Sequence, residues 1–250
     1  MMQDMLNGER HLMKTATCFA TASAHSPIWV RPEDGCSNSQ IGVFFRTFLD
    51  ENPYPAKGII AEKNVAEHCA NIVCEQHGYT YETRGLTAYY SLKNTAPAQK
   101  KNRACTLHTA SPEDLPIVKK WLTYFYQESL VSPSPELSPA KPAEPRTGKV
   151  SLYILKTPDS VAVAMGMLSD SEDISRLNLI YTPVEERRKG YGSALVSSLT
   201  EIAHQQGKTA MLYTSTDNTA ANQLYKSLGF IEAGRLTEVW FRAALATVEK

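Results

Sequence analysis

The stretch of sequence that decides the fold runs from Tyr181 to Ala194 and reads YTPVEERRKGYGSA. It lies between a strand-like run that starts at Ile174 and a helical run that starts at Tyr191. Two glycines in the pattern Gly-x-Gly let the main chain turn tightly, so that several N–H groups point at one spot. The start of the helix adds the positive end of its dipole there. The stretch therefore predicts a binding site for an anion.

Three cations precede these glycines, namely Arg187, Arg188 and Lys189. Their charge suits a pyrophosphate or a ribose phosphate, although at least one of them is expected to be a solvated surface charge. The stretch has neither the G-x-G-x-x-G spacing of a dinucleotide-binding fold nor the G-K-[ST] ending of a P-loop. The sequence therefore points away from those two nucleotide-binding classes.

The pattern R-x-x-G-x-G at 187–192 resembles the R/Q-x-x-G-x-G/A loop with which GNAT enzymes bind the pyrophosphate of coenzyme A. A second stretch, NTAANQLYKSLGF at 218–230, resembles the N-x-x-A-x-x-L-Y-x-x-x-G-F helix of the same superfamily. The tripeptide Tyr-Thr-Pro at 181–183 resembles the sequence at this place in a bacterial GNAT branch that carries an extra N-terminal domain. The resemblance covers residues 103–241, and the two motifs have the order and separation that the superfamily shows.

The resemblance implies acetyl-CoA as co-substrate, without a metal, and it implies which residues hold it. These are Ile180, Tyr181 and Thr182 at the strand end for the pantetheine arm, Arg187, Arg188, Lys189, Gly190, Tyr191, Gly192 and Ser193 around the pyrophosphate, and Asn218 with Asn222 as its helper on the pantetheine arm. It also implies that Tyr225 places its hydroxyl near the thioester sulfur. The alternative is that Tyr225 is a core aromatic residue of an amphipathic helix.

A tyrosine at that place suits acyl transfer to an amine. A neutral amine attacks the thioester carbonyl, an oxyanion forms, and the departing thiolate takes a proton from a positioned phenol. A strand amide near Ile180 would polarise the carbonyl. We therefore expect an N-acetyltransferase that acts on a primary amine by direct attack in a ternary complex.

The general base that receives the proton of the amine stays open. The candidates are Glu128, Glu172, Asp173 and His108. Each of them has an alternative as a surface or capping residue. The leading hypothesis is a chain of water molecules to bulk solvent.

The length of 250 residues and the hydrophobic content of 42% favour two domains, 1–100 and 101–250. Proline-rich breaks at 94–102 and 132–148 predict a linker and a surface loop, and the loop is either a lid or a tether. From residue 103 the order is strand, helix, three strands, helix, strand, helix and two strands. This order predicts an α/β fold with a mixed sheet, the GNAT acyltransferase fold in the C-terminal part.

The N-terminal hundred residues contain a weak internal repeat. A strand at Gly58, a helix to His77 and a strand pair to Tyr90 parallel the order of elements at 211–241. We interpret this part as a smaller α/β domain, a degenerate GNAT-like half that no longer binds the cofactor and walls the acceptor cleft. Chance similarity is the alternative.

Lys plus Arg and Asp plus Glu number 26 each, which favours neither nucleic acid nor an anionic membrane as partner. No apolar run predicts a signal peptide or a membrane span, so a cytoplasmic protein is expected. Five scattered cysteines predict reduced, mostly buried thiols and no zinc site.

The identity of the amine acceptor and the oligomeric state stay open, with a homodimer among the options. The alternative functions are a non-catalytic acyl-CoA-binding regulatory protein and a protein-modifying acetyltransferase.

Overall fold

The computed structural model describes residues 11–23, 26–92, 105–129 and 150–243. Within them the strands are β1 His11–Lys14, β2 Cys18–Ser23, β3 Ser26–Pro32, β4 Gly58–Ala61, β5 Tyr79–Ser91, β6 Thr106–Thr109, β7 Val150–Lys156, β8 Ala162–Asp170, β9 Ile174–Tyr181, β10 Thr209–Ser215 and β11 Ile231–Ala243. The helices are α1 Asn38–Glu51, α2 Lys63–His77, α3 Leu115–Ser129, α4 Tyr191–Gln205 and α5 Thr219–Ser227. Short 3-10 turns cover Pro112–Asp114 and Val184–Glu186. The predicted linker at 94–102 and the proline-rich loop at 132–148 lie outside the described residues.

All the strands join one sheet of eleven, in the order β1-β2-β3-β4-β11-β5-β10-β9-β8-β7-β6. Only the β3–β4 and β9–β10 pairs are parallel, and every other neighbouring pair in this sheet is antiparallel. The prediction of an α/β fold with a mixed sheet is confirmed.

The two ends of the sheet have the same topology. On one side an antiparallel meander β1-β2-β3 meets β4 in parallel, and on the other the meander β7-β8-β9 meets β10 in parallel. A helix follows each meander, α1 or α4, and a second helix, α2 or α5, leads from the parallel strand into a long strand. The internal repeat is therefore present in the topology. Its N-terminal helix, α2, packs against β4, which pairs in parallel with β3.

The long strands β5 and β11 are exchanged between these halves, so that each pairs with a strand of the other half. Residues Leu86–Ser91 of β5 pair with β10, whereas residues Thr237–Trp240 of β11 pair with β4. The prediction of a strand pair in each of these segments is wrong, because β5 and β11 are single strands of 13 residues that reach across both halves. The predicted domain boundary at 100 lies outside the described residues and stays a prediction.

A close main-chain contact at Gly85 marks the crossing. Thr216 donates its main-chain N–H to the oxygen of Gly85 at 2.9 Å. A Cβ atom on Gly85 would lie 2.7 Å from Oγ1 of Thr216, closer than Cβ atoms are found in proteins. A side chain at position 85 would therefore force Thr216 to move where β5 passes the end of β10.

Three hydrophobic clusters hold the sheet and helices together. The first lies under α1 and α2 and includes Phe45 and Ile59. The second lies under α4 and α5 and includes Leu195 and Leu212, and the third lies under α3 around Trp121. Burial of each large side chain stabilises the fold by about 1.5–3 kcal/mol, and the second and third clusters cover the two faces of β7, β8 and β9.

Candidate functional site

The strands β9 and β10 separate towards their carboxyl ends. Only Ile174–Arg176 of β9 pairs with β10, at Thr209–Met211. No pairing between these two strands follows in the described residues, although β9 continues to Tyr181 and β10 to Ser215. A wedge-shaped gap therefore opens between two parallel strands, with main-chain groups along its walls.

A bulge in β9 gives the gap its shape. Met167 faces Asn178 and Met165 faces Tyr181, so β9 contains one residue more than β8 over this interval. Leu179 takes up the extra residue with a φ of 50°, which is uncommon for leucine. An extra residue interrupts the ladder and leaves main-chain groups unpaired. The sequence does not predict this bulge, since position 179 is a leucine and not a glycine.

The bulge also exchanges the two faces of β9. In an uninterrupted strand, Tyr181 would share a face with Leu177, which packs under α4. Instead Ile180 packs under α4, and Tyr181 packs on the other face against Trp121 of α3. Ile180 and Tyr181 therefore lie on opposite faces of the sheet, at the β9 side of the gap.

The predicted anion loop forms a tight turn ahead of α4. Arg188 has a φ of 63° and Gly190, the N-cap residue of α4, has a φ of 84°. No side chain caps this helix start, so the amides of Tyr191, Gly192 and Ser193 keep their donor capacity. Free amides at the positive end of a helix dipole attract a phosphate group. The local geometry therefore fits the pyrophosphate of coenzyme A.

Three predicted segments meet at Gly192. A Cβ atom at this position would lie 3.5 Å from Oγ1 of Thr182 and 3.8 Å from Cδ2 of Leu224. The loop, the end of β9 and helix α5 are therefore neighbours, although Thr182 and Leu224 are far apart in the sequence.

Two of the three predicted cations are paired within the protein. Arg187 donates from Nε to the main-chain oxygen of Thr182 at 2.9 Å, and its guanidinium forms an ion pair with Glu128 of α3. Lys189 pairs with Glu186 at 3.0 Å. The exposed side chain of Arg188 makes no hydrogen bond or ion pair within the described residues, so it is the cation best placed to meet a phosphate.

Glu128 links α3 to the loop and to the strand end. Besides Arg187, it accepts a hydrogen bond from the hydroxyl of Tyr181 at 3.2 Å. Burial raises the pKa of Tyr181, and the negative charge of Glu128 raises it further. Glu128 was a candidate only as a general base, because its partners Tyr181 and Arg187 lie 53 and 59 residues away in the sequence.

We expect Glu128→Gln to weaken coenzyme A binding two- to fivefold. The variant keeps the shape of the side chain but removes the charge that restrains Arg187, and ion pairs this exposed contribute about 0.2–1 kcal/mol. Isothermal titration measures the change. Glu186→Gln, which breaks an ion pair confined to the loop, is the matched control and should change affinity less. Unchanged or tighter binding in Glu128→Gln would contradict the proposed link.

The other base candidates lie away from the gap. His108 is on the edge strand β6, 2.7 Å from Oγ1 of Thr106 and separated from β9 by β7 and β8. Glu172 and Asp173 precede β9 at its paired end, where Asp173 accepts a hydrogen bond from Thr209. None of these three lies at the open end of the gap.

Asn218 and Asn222 hold α5 in place. Oδ1 of Asn218 accepts the main-chain N–H of Ala221 at 3.0 Å and caps the helix. The amide nitrogen of Asn222 donates to the main-chain oxygen of Ser215 at 2.9 Å, and its Oδ1 accepts the hydroxyl of Tyr89 at 2.9 Å. Both polar atoms of Asn222 are therefore already engaged. Tyr89, which the sequence analysis missed, comes from the exchanged strand β5.

Tyr225 is a buried residue of α5 in the second hydrophobic cluster. Its ring packs against Tyr89 and Phe230 at centroid distances of 5.8 and 5.9 Å, and the residue is 6% exposed. Burial raises the pKa of Tyr225 to about 12, so the phenol is protonated at neutral pH. Its hydroxyl has no hydrogen-bond partner among the described residues, which leaves its proton available to a bound molecule.

Among the described residues, no group of His, Cys, Asp and Glu side chains is arranged to hold a metal ion. In the same part of the chain, no helix has the length and apolar character needed to cross a bilayer.

Comparisons with known proteins point to one fold. The family model described as FR47-like protein matches residues 154–241. A GCN5-related N-acetyltransferase from Kribbella flavida has a TM-score of 0.62 at 12% identity, covering 94% of this chain and 90% of its own. A GNAT-family acetyltransferase described as putative, from Novosphingobium aromaticivorans, has a TM-score of 0.55 at 15% identity, with coverages of 97% and 93%. A functionally unknown conserved protein from Staphylococcus epidermidis has a TM-score of 0.64 at 9% identity, and the match covers 98% of each chain. No protein of curated function matches the sequence.

Proposed function

We propose that the chain is a GNAT acetyltransferase that transfers the acetyl group of acetyl-CoA to a primary amine, because its fold resembles that of GNAT-family acetyltransferases and an FR47-like family model matches residues 154–241. The observation that carries the proposal is the gap between β9 and β10, which opens beside an uncapped helix start. A protonated phenol, Tyr225, lies on α5, the helix that neighbours the anion loop at Gly192. This combination suits a long thioester with an anionic end.

Each part of the cofactor has a counterpart in the site. The amides from Arg188 to Ser193 and the side chain of Arg188 would hold the pyrophosphate. The unpaired main-chain groups of β9 near Ile180 would hold the pantetheine arm and direct an N–H at the thioester carbonyl. Asn218 would add a hydrogen bond from its amide nitrogen, because only its oxygen is used in capping α5.

The reaction then requires attack by the amine, departure of the thiolate and removal of a proton from the amine. The nitrogen of a neutral amine bonds to the carbonyl carbon, and the oxyanion that forms is stabilised by a strand amide. The carbon–sulfur bond breaks, and Tyr225 gives its proton to the departing sulfur. Water is the proposed acceptor of the proton that the amine loses, because the carboxylate of Glu128 is already paired with Arg187 and Tyr181. Both substrates are bound together, which lowers the entropic cost of the attack.

The decisive experiment has two stages. Isothermal titration with acetyl-CoA and with free coenzyme A tests the cofactor site, and a screen of primary amines with detection of the released thiol tests transfer. Micromolar binding together with thiol release by at least one amine supports the proposal. Binding without release by any amine would favour a non-catalytic acyl-CoA-binding protein. Absence of binding would overturn the proposal altogether.

We expect one coenzyme A per chain in that titration. The N-terminal half has a loop between β3 and α1 at the position of the anion loop, but it carries Glu33 and Asp34 in place of cations. Two carboxylates repel a pyrophosphate. A stoichiometry near two would mean that the N-terminal half also binds the cofactor. The cytoplasmic location and the homodimer stay predictions from the sequence.

A further inference from the structure

The loop between β3 and α1, residues 33–37, brings two cysteines together. It is the N-terminal counterpart of the anion loop, because both connect the last strand of a meander to a helix. Cys36 lies in this loop immediately before Ser37, the N-cap residue of α1, and Cys18 is the first residue of β2. The two sulfur atoms are 3.6 Å apart. No other pair of cysteine sulfurs comes this close among the described residues.

The main chain holds the two thiols in this arrangement. Glu33 donates its N–H to the oxygen of Thr17 at 2.7 Å, and Cys36 donates to the oxygen of Glu33 at 3.2 Å. Ser37 and Gln40 form a capping box that fixes the start of α1. The loop is therefore tied to β2 on one side and to α1 on the other, so the thiols stay adjacent in the folded protein.

We propose that Cys18 and Cys36 form a reversible disulfide when a peroxide or an oxidised low-molecular-weight thiol reaches this loop. A disulfide bond is about 2.05 Å long, so the sulfurs, now 3.6 Å apart, must approach each other by roughly 1.5 Å. The site is separate from the acetyl-transfer site and does not depend on the proposed function.

The two thiols have different roles in the reaction. Cys36 is partly exposed, whereas Cys18 is 1% exposed. The thiolate of Cys36 attacks one oxygen of hydrogen peroxide, hydroxide leaves, and a sulfenic acid forms. Cys18 then attacks that sulfur, water leaves, and the disulfide forms. In sum two thiols and one peroxide give one disulfide and two waters, with both sulfurs oxidised and the peroxide reduced.

Burial explains why the other cysteines do not take this role. It raises the pKa of Cys69 to about 12 and that of Cys18 to about 11, so neither offers much thiolate to an oxidant directly. Burial also raises the pKa of Cys74 and of Cys105. Attack therefore starts at Cys36, and Cys18 is the neighbour that resolves the sulfenic acid.

The test is thiol counting and peptide mapping on the folded protein after exposure to hydrogen peroxide. The parent should lose two of its five thiols and two hydrogen masses, and a digest should link the peptides that contain Cys18 and Cys36. Dithiothreitol should restore all five. The oxidised form should melt about 5–10 °C higher, because the bond closes a loop of some 19 residues.

Two variants make the outcome decisive. Cys36→Ser, at a partly exposed position, should fold normally and form no intramolecular disulfide, whereas the matched control Cys105→Ser should oxidise as the parent does. The inference fails if the parent keeps five thiols, if the digest links other cysteines, or if oxidation yields only dimers. Because the readout is mass and thiol content, it is independent of coenzyme A binding and of acetyl transfer.

Discussion

Gly190→Asp should weaken coenzyme A binding at least 100-fold, and Gly190→Asn should weaken it less than about tenfold. Gly190 is the N-cap residue of α4 with a φ of 84°, and a Cβ atom there would meet nothing within 4 Å. Asn and Asp both tolerate this main-chain conformation better than other residues, so both variants should fold. They have the same shape and differ by one negative charge at the proposed pyrophosphate site.

The size of the effect follows from the charge. A unit charge about 4 Å from another costs about 4 kcal/mol at the effective dielectric constant near a protein surface, which exceeds the 2.7 kcal/mol of a 100-fold change. Isothermal titration measures both affinities, and thermal melting checks that both variants are folded. Equal losses in the two variants would mean that strain causes them, and the assignment of an anion site would then be wrong.

Tyr225→Phe should lower kcat for acetyl transfer about 10²- to 10⁴-fold, the usual contribution of a general acid. Phenylalanine keeps the ring contacts with Tyr89 and Phe230, so the fold and the affinity for coenzyme A should change little. Single-turnover release of the thiol, with the most active amine of the screen, measures the effect.

Tyr89→Phe is the matched control for that variant. It also removes one phenol hydroxyl from the same cluster of rings, but this hydroxyl donates to Asn222 and not to a substrate. Its effect on kcat should stay below about tenfold, the loss expected for one structural hydrogen bond. If Tyr225→Phe were no slower than Tyr89→Phe, Tyr225 would be a core residue without a catalytic role.

The pH dependence gives a further check on Tyr225. Burial raises its pKa to about 12, so the phenol keeps its proton throughout the neutral and mildly alkaline range. The acceptor, in contrast, reacts only after its ammonium group has lost a proton. We therefore expect kcat/KM to rise with pH and to show no descending limb up to pH 10. A descending limb below pH 10, absent from Tyr225→Phe, would show that the phenol is more acidic than its burial implies.

The parts of the site that depend on local sequence were predictable. The glycines at 190 and 192 locate the tight turn and the helix start, and the structure places α4 at Tyr191–Gln205 as expected. The Asn218 start and the Gly229 end delimit α5 in the same way. Local steric and capping preferences determine these features, so a single sequence is enough to find them.

The parts that depend on pairing between distant residues were not predictable. Nothing in Tyr79–Ser91 indicates that its second half pairs with β10, because an alternating apolar strand fits many partners. The charge on Arg187 is equally compatible with solvent, with a phosphate or with Glu128. The bulge at Leu179 arises where β9 separates from β10, and no glycine stands at that position to reveal it.

The exchange of β5 and β11 has a consequence for the order in which the protein is made. β4 finds its antiparallel partner only in β11, which the ribosome produces after every other described strand. Until then the edge of β4 presents unpaired main-chain groups, a surface that other chains can join. The N-terminal half of the nascent chain therefore keeps an unpaired strand edge until β11 has been made, and over that interval it is exposed to aggregation through this edge.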